Sequence, residues 1–296
     1  MATKKFICKV CGYVHEGTAA PEKCPVCQAA ASEFEVVREN KGASGLFNKN
    51  GNLYIVLYSV VMVVIVAVLL SVTALALQPR QNANVLNEKK TAILQSLGQV
   101  DEKGQPVVEY DGYVEAFAVD ANGNVIEGID GNQAIDMLFD LKGAIENETY
   151  PVFKSADGKY VFPVTGQGLW DAIWGYVALE PDLNTVAGIA LDHKGETPGL
   201  GAEIATAKHQ ALYKGKQIFD NGEFVSITLV KGGAKSTSPA FVHQVDAITG
   251  GTKTSDGVTA MLKSCLGNYL PYIESQLAAQ AENDTELQES AEESNE

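Results

Sequence analysis

Residues 53–77 read LYIVLYSVVMVVIVAVLLSVTALAL, and this uncharged run of 25 residues divides the chain in two. At about 1.5 Å per residue, a helix of this length exceeds a bilayer core of about 30 Å, so the run predicts a transmembrane helix. A signal peptide is the competing interpretation, but the run is long, lies far from the N-terminus and lacks a small-x-small cleavage site. A buried core helix is disfavoured because soluble helices keep a polar face.

Residues 38–52, RENKGASGLFNKNGN, precede the apolar run and are rich in Gly, Asn and Lys. They show no apolar periodicity, which is typical of a linker. The sequence therefore predicts two independent bodies, one on each side of this segment and the membrane helix.

The N-terminal body contains four of the five cysteines, arranged as two C-x-x-C pairs. They are Cys8, Cys11, Cys24 and Cys27. A C-x-x-C turn directs two thiolates toward one point, so two such turns predict a tetrahedral site of four sulfurs that suits iron or zinc. The spacing alone is compatible with a structural zinc ribbon as well as with a redox centre. Cys265 stands alone, and we interpret it as a small buried hydrophobe.

The residues around these turns, C-x-x-C-G-Y and P-E-K-C-P-x-C, resemble rubredoxin, and specifically the compact rubredoxin-like modules attached to other redox proteins. The resemblance covers residues 4–37. Gly12 and Pro25 match the family, and Tyr13 and Phe34 stand where it packs aromatic side chains. The resemblance implies a one-electron iron centre, although the stretch between the two turns is shorter than in free-standing rubredoxins.

The orientation of the membrane helix does not follow from its flanking charges, because basic residues are equally frequent on both sides. These residues are Arg38, Lys41 and Lys49 before the run and Arg80, Lys89 and Lys90 after it. Thiolates that hold a metal are better kept in a reducing compartment. We therefore expect a cytoplasmic N-terminus and an exported C-terminal body.

The formal charge of the chain is -15, and the acidic excess lies after the apolar run. Binding to nucleic acid needs a cationic surface, so this class of partner is excluded. Residues 280–296 combine many acidic side chains with no basic ones and few apolar ones. We expect this segment to be a disordered acidic tail.

The C-terminal body, residues 78–279, mixes strand and helix patterns and predicts an α/β or α+β domain. Residues 87–98, NEKKTAILQSLG, predict a short amphipathic helix that ends at Gly98. The predicted strands are residues 114–120, 125–129, 160–164, 185–192 and 224–230. The other predicted helices are residues 132–141, 168–179, 202–215 and 255–265.

Residues 246–258, DAITGGTKTSDGV, form a Gly-rich turn flanked by hydroxyl side chains and leading to a helix whose predicted N-cap is Ser255. The free N–H groups and the positive dipole end of a helix N-terminus can receive a phosphate group. Gly/Thr loops are common turns, however, so this spacing by itself is a weak indication of a phosphate site.

The loop resembles the covalent flavin-attachment motif of the FMN-binding domains in sodium-pumping NADH:quinone reductases and the related Rnf complexes. In that motif an aspartate is followed by Ser/Thr-Gly-Ala-Thr, which corresponds here to Asp246 and to Thr249, Gly250, Gly251 and Thr252. The resemblance implies FMN joined through its phosphate to Thr252. Gly251 departs from the alanine of the motif.

A second stretch makes the resemblance more specific. Residues 166–204 contain G-L-W-D and E-T-P-G-L-G, and they are similar to the C-subunit family of the sodium-translocating reductases. The resemblance extends over residues 53–275. It implies that Trp170 contacts the flavin. Because a flavin ring is a flat apolar surface, we expect Trp170 and Leu200 to sandwich it.

Three further flavin contacts are expected from the chemistry of the cofactor, which has a flat apolar ring, polar edges and a charged phosphate. Thr197 and Gly199 are expected at the polar edges of the ring, and Lys231 is expected to neutralise flavin or phosphate charge. A core tryptophan and a solvated lysine are the competing interpretations of Trp170 and Lys231.

Other residues of these motifs are expected to serve the fold. Trp174 and Tyr176 are predicted to lie in the core. His193 and Glu196 are predicted to make structural hydrogen bonds and not to transfer protons. Asp246 is expected to hold the turn or to be recognised by a flavin transferase.

Together these features predict an electron-transfer subunit of a Na+-translocating NADH:quinone oxidoreductase in the bacterial inner membrane, with the flavin domain outside the cytoplasm. The expected partners are the other subunits of the complex and the flavin transferase. The cofactor would supply the redox chemistry, so no catalytic acid, base or nucleophile is expected. The sodium route is expected in partner subunits, because one helix without embedded charge cannot form an ion path.

Three other functions stay open. The chain can be the G subunit of an Rnf-type ferredoxin:NAD oxidoreductase, or a non-redox zinc-ribbon adaptor anchored in the membrane. A substrate-reducing flavoenzyme is the third alternative, disfavoured because no acid/base cluster gathers near the flavin motifs.

Overall fold

The structure is a computed structural model that describes residues 4–37 and 52–293, without the side chains of residues 283–293. The chain divides into two compact units, Met1–Gln78 and Pro79–Glu296, which are described separately. The predicted linker, residues 38–52, lies outside the described residues except for Asn52.

The N-terminal module is a three-stranded antiparallel sheet. Its strands are β1 (Lys4–Cys8), β2 (Val14–Gly17) and β3 (Phe34–Val36), in the order β2-β1-β3. A single 3₁₀ turn, Ala31–Glu33, precedes β3. The core of this module is small, because its buried apolar side chains in the described part are those of Phe6, Cys8 and Cys24.

One long helix, α1 (Asn52–Ser96), contains the whole apolar run and continues for almost twenty residues beyond it. The side chains of the run are exposed, and the helix is long and apolar enough to cross a membrane. Residues 87–96 are helical as predicted, but they form the end of α1 and not a short helix of their own, because α1 passes through Pro79 without ending. Gly98 does end the helix: its φ is +75°, and Gln99 N donates to Leu94 O at 2.8 Å.

The second unit is built on a six-stranded antiparallel sheet with the order β5-β4-β6-β7-β8-β9. The strands are β4 (Val114–Asp120), β5 (Val125–Asp130), β6 (Thr149–Ser155), β7 (Tyr160–Gln167), β8 (Ala172–Leu179) and β9 (Val186–His193). Two short strand pairs follow: β10 (Phe219–Asp220) with β11 (Glu223–Phe224), and β12 (Thr228–Val230) with β13 (Gln244–Asp246).

The remaining helices flank this sheet. They are α2 (Gly131–Asp136), α3 (Leu141–Glu146), α4 (Ala207–Gln210), α5 (Thr252–Asn268) and α6 (Leu270–Glu293). Helix α5 covers one face, where Val258, Leu262 and Leu266 join the core of Phe162 and Val164. The end of α1 covers the other face, where Ile93, Leu94 and Leu97 pack with Tyr176 and Ala178. The antiparallel sheet makes this an α+β domain, one of the two classes predicted.

The largest correction concerns residues 168–179, which were predicted as a helix and form a loop followed by β8. Both faces of β8 are covered, so its residues are apolar almost throughout and give no alternation that marks a strand. The same ambiguity concealed β6, which was not predicted and which carries Pro151 inside the strand.

Three further segments are more broken than predicted. Residues 132–141 are divided among α2, a 3₁₀ turn (Met137–Asp140) and the first residue of α3. Residues 202–215 form a 3₁₀ turn, the four-residue helix α4 and a second 3₁₀ turn instead of one helix. Residues 224–230 are split between β11 and β12.

The acidic segment predicted as a disordered tail begins as part of a helix. Helix α6 starts at Leu270 and its backbone is helical as far as Glu293. Ala, Glu, Gln and Leu make up most of α6, and all four are strong helix formers even where few apolar side chains are present. The low apolar content of residues 280–296 suggested disorder, but it does not determine the backbone conformation as far as Glu293.

Candidate flavin and metal sites

The four cysteines of the two C-x-x-C turns lie together in the N-terminal module. Their Sγ atoms are all within 4.8 Å of one another, with 3.7 Å between Cys8 and Cys27 and 3.5 Å between Cys11 and Cys24. Four sulfurs at about 2.3 Å from one metal stand about 3.8 Å apart in a tetrahedron. The spacing of the thiols therefore fits a single tetrahedral ion.

The backbone of each turn supports this arrangement. Gly12 N donates to Cys8 O at 2.8 Å, and Gln28 N donates to Cys24 O at 3.0 Å, so the two turns have the same form. Gly12 and Gln28 both adopt positive φ values, +77° and +59°. Gln28 tolerates this conformation at some cost, whereas Gly12 adopts it freely.

The close approach of the four sulfurs shifts the pKa values of the thiols in different directions. Burial alone would raise the pKa of Cys24, but the N–H groups of Cys27 and Val26 and the neighbouring thiols outweigh it and lower the pKa to about 7. The N–H of Tyr13 lowers the pKa of Cys11, but burial and the other cysteines outweigh that effect and raise it to about 12. Without a metal, four adjacent thiols do not all lose their protons near neutral pH.

The predicted flavin-attachment loop leads directly into α5. The helix begins at Thr252 with Gly251 as its N-cap, so the prediction that Ser255 caps the helix was wrong. Ser255 instead lies buried in the first turn. Its hydroxyl accepts from Ile248 N at 3.0 Å and donates to Gly251 O at 3.0 Å, which ties the loop to the helix.

Glu196, in the loop after β9, connects two other parts of the site. Its side chain is buried, with Oε1 accepting from Trp170 N at 2.9 Å and Oε2 accepting from Thr254 Oγ1 at 2.6 Å. The prediction of a structural hydrogen bond for Glu196 is confirmed. Because Thr254 lies two residues beyond Thr252, this carboxylate joins the G-L-W-D stretch to the start of α5.

The E-T-P-G-L-G loop contacts the attachment loop directly. A Cβ atom at Gly250 would lie 2.6 Å from Leu200 Cδ2, and one at Gly251 would lie 3.3 Å from Gly201 N. Gly250 also has a φ of +78°, which favours glycine. Three stretches that are distant in sequence therefore meet at the start of α5, through contacts of the residues on either side of Thr252.

Apolar side chains project into solvent around this meeting point. Trp170 is 67% exposed, Leu169 is 53% exposed and Leu200 is 42% exposed. The alternative that Trp170 is a core residue was therefore wrong. Thr197 and Gly199 are in the same loop as Leu200, and both are exposed. Tyr176 is buried as predicted, whereas Trp174 is half-buried and lines a groove of about 430 Å³ beside the end of α1.

Lys231 and Asp246 lie where β12 and β13 end. Lys231 is exposed and directly follows Val230, which pairs with Asp246. Asp246 Oδ1 accepts from Ala234 N at 2.7 Å, so this carboxylate holds the turn that Lys231 begins. One of the two roles predicted for Asp246 was to hold the attachment turn that follows it. In the structure Asp246 holds the neighbouring turn that begins at Lys231.

These surroundings fit an FMN group on Thr252. The half-buried Thr252 stands at a helix N-terminus, whose first N–H groups lack acceptors within the helix, next to exposed apolar side chains. The sequence did not identify Thr254, and it predicted Ser255 as the N-cap instead of as a buried residue of the first turn. Their positions at i+2 and i+3 from Thr252, on a helix with one buried face, would have indicated inward-facing hydroxyls.

Comparison with protein families separates the two parts of the chain. Residues 6–35 match the rubredoxin-like domain of rubrerythrin, and residues 168–267 match the FMN-binding domain family. The matches include all four cysteines in the first case and Trp170, Glu196 and Thr252 in the second.

Curated relatives match most of the chain. It is 33% identical to the C subunit of the Na(+)-translocating NADH-quinone reductase of Vibrio vulnificus strain YJ016 over 222 residues, covering 68% of this chain and 86% of the relative. It is 31% identical to the corresponding C subunit of Pseudomonas aeruginosa over 243 residues, covering 74% of this chain and 93% of the relative.

Solved structures agree with these relatives. The C subunit of the Na(+)-translocating NADH-quinone reductase from Parabacteroides distasonis is 38% identical with a TM-score of 0.58, and 67% of this chain covers 96% of it. NqrC from Shewanella oneidensis is 30% identical with a TM-score of 0.55, and 67% of this chain covers 99% of it. The known proteins are thus matched almost entirely, while about a third of this chain lies outside the match.

Proposed function

Because this chain belongs to the C-subunit family of the Na(+)-translocating NADH-quinone reductases, we propose that it is an electron-transfer subunit of such a complex, with FMN joined through its phosphate to Thr252. Bound flavin accepts and donates electrons, and the protein holds it and adjusts its electrostatic surroundings. The G subunit of an Rnf complex is less favoured, because the relatives described above are C subunits.

One observation carries the flavin part of the proposal. The G-L-W-D, E-T-P-G-L-G and T-G-G-T stretches meet around Thr252 through the contacts of Glu196 and Leu200. Exposed Trp170 and Leu200 offer apolar surface for a ring, and the start of α5 offers N–H groups for a phosphate. Thr249, Gly250 and Gly251 form the turn before Thr252, while Thr197, Gly199 and Lys231 supply polar groups nearby in the fold.

The N-terminal module supplies the second redox centre in this proposal. Cys8, Cys11, Cys24 and Cys27 hold one iron ion, with zinc as the alternative that the same four sulfurs accept. The match to a rubredoxin-like domain supports iron. An iron centre of this kind exchanges one electron at a time.

The apolar part of α1 anchors the chain in the bacterial inner membrane as a single span. The N-terminal module lies in the cytoplasm and the flavin domain lies outside it, because a thiolate site is best kept in a reducing compartment. The two centres then face opposite sides of the bilayer and do not exchange electrons directly. The other subunits of the complex provide their redox partners and the sodium route, and a flavin transferase modifies Thr252.

The attachment is tested by the intact mass of the chain extracted from its native membrane, followed by peptide mapping across residues 235–263. The wild-type peptide is expected to retain FMN after denaturation. Thr252→Ala is expected to lose it completely, since no other hydroxyl stands at the first position of α5. Thr249→Ala is the matched control in the same turn, and it is expected to keep FMN.

The alternatives predict different masses and colours. An unmodified wild-type peptide would contradict the tethered flavin and favour the zinc-ribbon adaptor if the purified chain is also colourless. Retention of FMN in Thr252→Ala would contradict the assignment of the attachment residue. Loss of FMN in both threonine variants would show that the turn is needed for modification as well, and the residue that carries FMN in the wild-type peptide would then decide the point of attachment.

A further inference from the structure

Glu196 is a buried carboxylate at the centre of the flavin site that makes no predicted contact with the cofactor. We propose that Glu196 is a positioning residue: it locks the Trp170 loop to the start of α5 and places a fixed negative charge beside the attachment segment. This inference rests on the proposed flavin site. It adds a residue that sets both the shape and the electrostatic potential of that site.

The hydrogen bonds to Glu196 come from both segments that it joins. Thr254 Oγ1 donates to Oε2 at 2.6 Å, and Trp170 N donates to Oε1 at 2.9 Å. The N–H groups of Leu169 and Asp171 also lower the pKa of this carboxylate. One side chain therefore binds the backbone of the loop that presents Trp170 and the first turn of α5.

Space for the carboxylate is provided by two glycines. A Cβ atom at Gly168 would overlap Glu196 Oε1, and a Cβ atom at Gly201 would overlap Glu196 Oε2 and Thr254 Oγ1. Both glycines belong to stretches that meet at the site. The packing is thus arranged around the carboxylate, and a larger residue at either glycine would displace it.

The Glu196 carboxylate stays ionised inside the site. Burial alone would raise the pKa of Glu196, but the hydrogen bonds from Thr254 and from the loop N–H groups outweigh burial and hold it below its ordinary value. Among the described residues, no basic side chain lies within ion-pair distance of Glu196. A buried charge without a counter-ion is weakly screened and acts on groups bound nearby.

Reduction adds electrons to a flavin, so a negative charge next to the site opposes it. Replacing Glu196 by the nearly isosteric glutamine removes the charge and weakens the hydrogen bonds of the loop, since bonds to a charged acceptor are about twice as strong as neutral ones. We therefore expect a reduction potential higher than that of the wild-type chain and a looser Trp170 loop.

The first measurement is a reductive titration of the flavin-loaded full-length chain, wild type against Glu196→Gln. At a fixed applied potential, the ratio of reduced to oxidised flavin is expected to rise severalfold in the variant. Glu203→Gln is the matched control. Glu203 also bears a carboxylate in the following 3₁₀ turn but bonds only to Gly199 N at 3.2 Å within this loop, so less than a twofold change is expected.

The second measurement does not depend on flavin. Amide hydrogen exchange is followed at residues 169–171 in the Thr252→Ala chain, with and without Glu196→Gln. Exchange is expected to accelerate severalfold with the second substitution. If Glu196→Gln does not fold, Thr254→Val removes the partner hydroxyl alone, and the same amides are then expected to exchange faster by a smaller factor.

The outcomes separate this inference from the proposed function. A wild-type chain without FMN would contradict the proposed function, and the exchange measurement would still decide the role of Glu196. Unchanged exchange at residues 169–171 would overturn the positioning role. Unchanged flavin potential in a loaded Glu196→Gln chain, or an equal shift in Glu203→Gln, would overturn the electrostatic role.

Discussion

Gly251 replaces the alanine of the related attachment motif, and its surroundings give a steric reason. Its backbone angles, φ −103° and ψ 33°, are open to alanine, so conformation does not require glycine here. A Cβ atom would instead lie 2.9 Å from Ile248 Cγ2 and 3.1 Å from Ile248 Cβ. The side chain of Ile248 occupies the space that alanine would need.

Gly251→Ala is therefore expected to lower the free energy of unfolding by about 1 kcal/mol through overpacking. In an Ile248→Ala background the same substitution is expected to cost less, because the obstructing methyl group is gone. Urea unfolding of the two single variants and the double variant measures the coupling. An equal cost in both backgrounds would contradict the steric explanation.

The contribution of Asp157 to the stability of the fold is expected to depend on pH. Burial alone would raise its pKa, but hydrogen bonds from Lys159, Ser155 and Tyr113 outweigh burial and lower the pKa from 3.8 to about 2. A lowered carboxylate pKa adds stability that is complete well above pH 3.8 and is lost as the pH falls toward about 2. The side chain of Asp157 is 40% exposed, so solvent screening reduces the effect.

Asp157→Asn is expected to lower the free energy of unfolding by about 1 kcal/mol at about pH 7, after this discount for screening. The difference from wild type is expected to shrink below about pH 4 and to vanish near about pH 2. Denaturant unfolding across this range is the measurement. A difference that does not depend on pH would show that packing, and not charge, stabilises this turn.

Helix α5 organises the attachment loop as well as the core. Its inner face packs on the sheet, and a Cβ atom at Gly166 of β7 would lie 2.7 Å from Met261 Cβ. Its first turn holds the loop through Ser255, whose hydroxyl satisfies Ile248 N. The position of Thr252 thus depends on the same helix that closes one face of the core.

Ser255→Ala is expected to lower the free energy of unfolding by about 1–2 kcal/mol, because Ile248 N loses its acceptor. Ser264→Ala, later on the same helix, is the matched control. The hydroxyl of Ser264 donates to Met261 O within its own helix at 3.4 Å, so a change below about 0.5 kcal/mol is expected. Equal effects would mean that the loop does not depend on Ser255.

The two units of the chain differ in what stabilises them. The sheet domain has two buried clusters, one on each face of the sheet, whereas the described part of the N-terminal module buries few apolar side chains. Small domains with such limited cores usually need a metal or disulfides. The four thiols of the module are free of disulfides and therefore point to a metal.

Removing the metal with a chelator is expected to unfold the N-terminal module and leave the sheet domain intact. Hydrogen exchange of peptides from residues 4–37 and 114–193 separates the two responses. Cys11→Ser is expected to lower the metal content of the purified chain to near zero, and Cys265→Ser, outside the module, to leave it unchanged. Protection of residues 4–37 that survives chelation would contradict this dependence.

The sequence determined the features that depend on neighbours along the chain. The two C-x-x-C turns, the apolar helix and the glycine that ends it all follow from local geometry or composition, and the turn before Thr252 was visible for the same reason. The family resemblance added Trp170 and Leu200, whose exposure the structure then showed.

Only the tertiary structure decided whether residues 172–179 form a strand, and where Glu196 points. A segment buried on both faces has no polar side, so its period cannot distinguish strand from helix until its neighbours are known. Glu196 is separated from Thr254 by 58 residues along the chain. The role of Glu196 therefore depends on the packing that brings these two residues together. A buried carboxylate is acceptable only where its hydrogen-bond donors converge, and that convergence is a property of the fold.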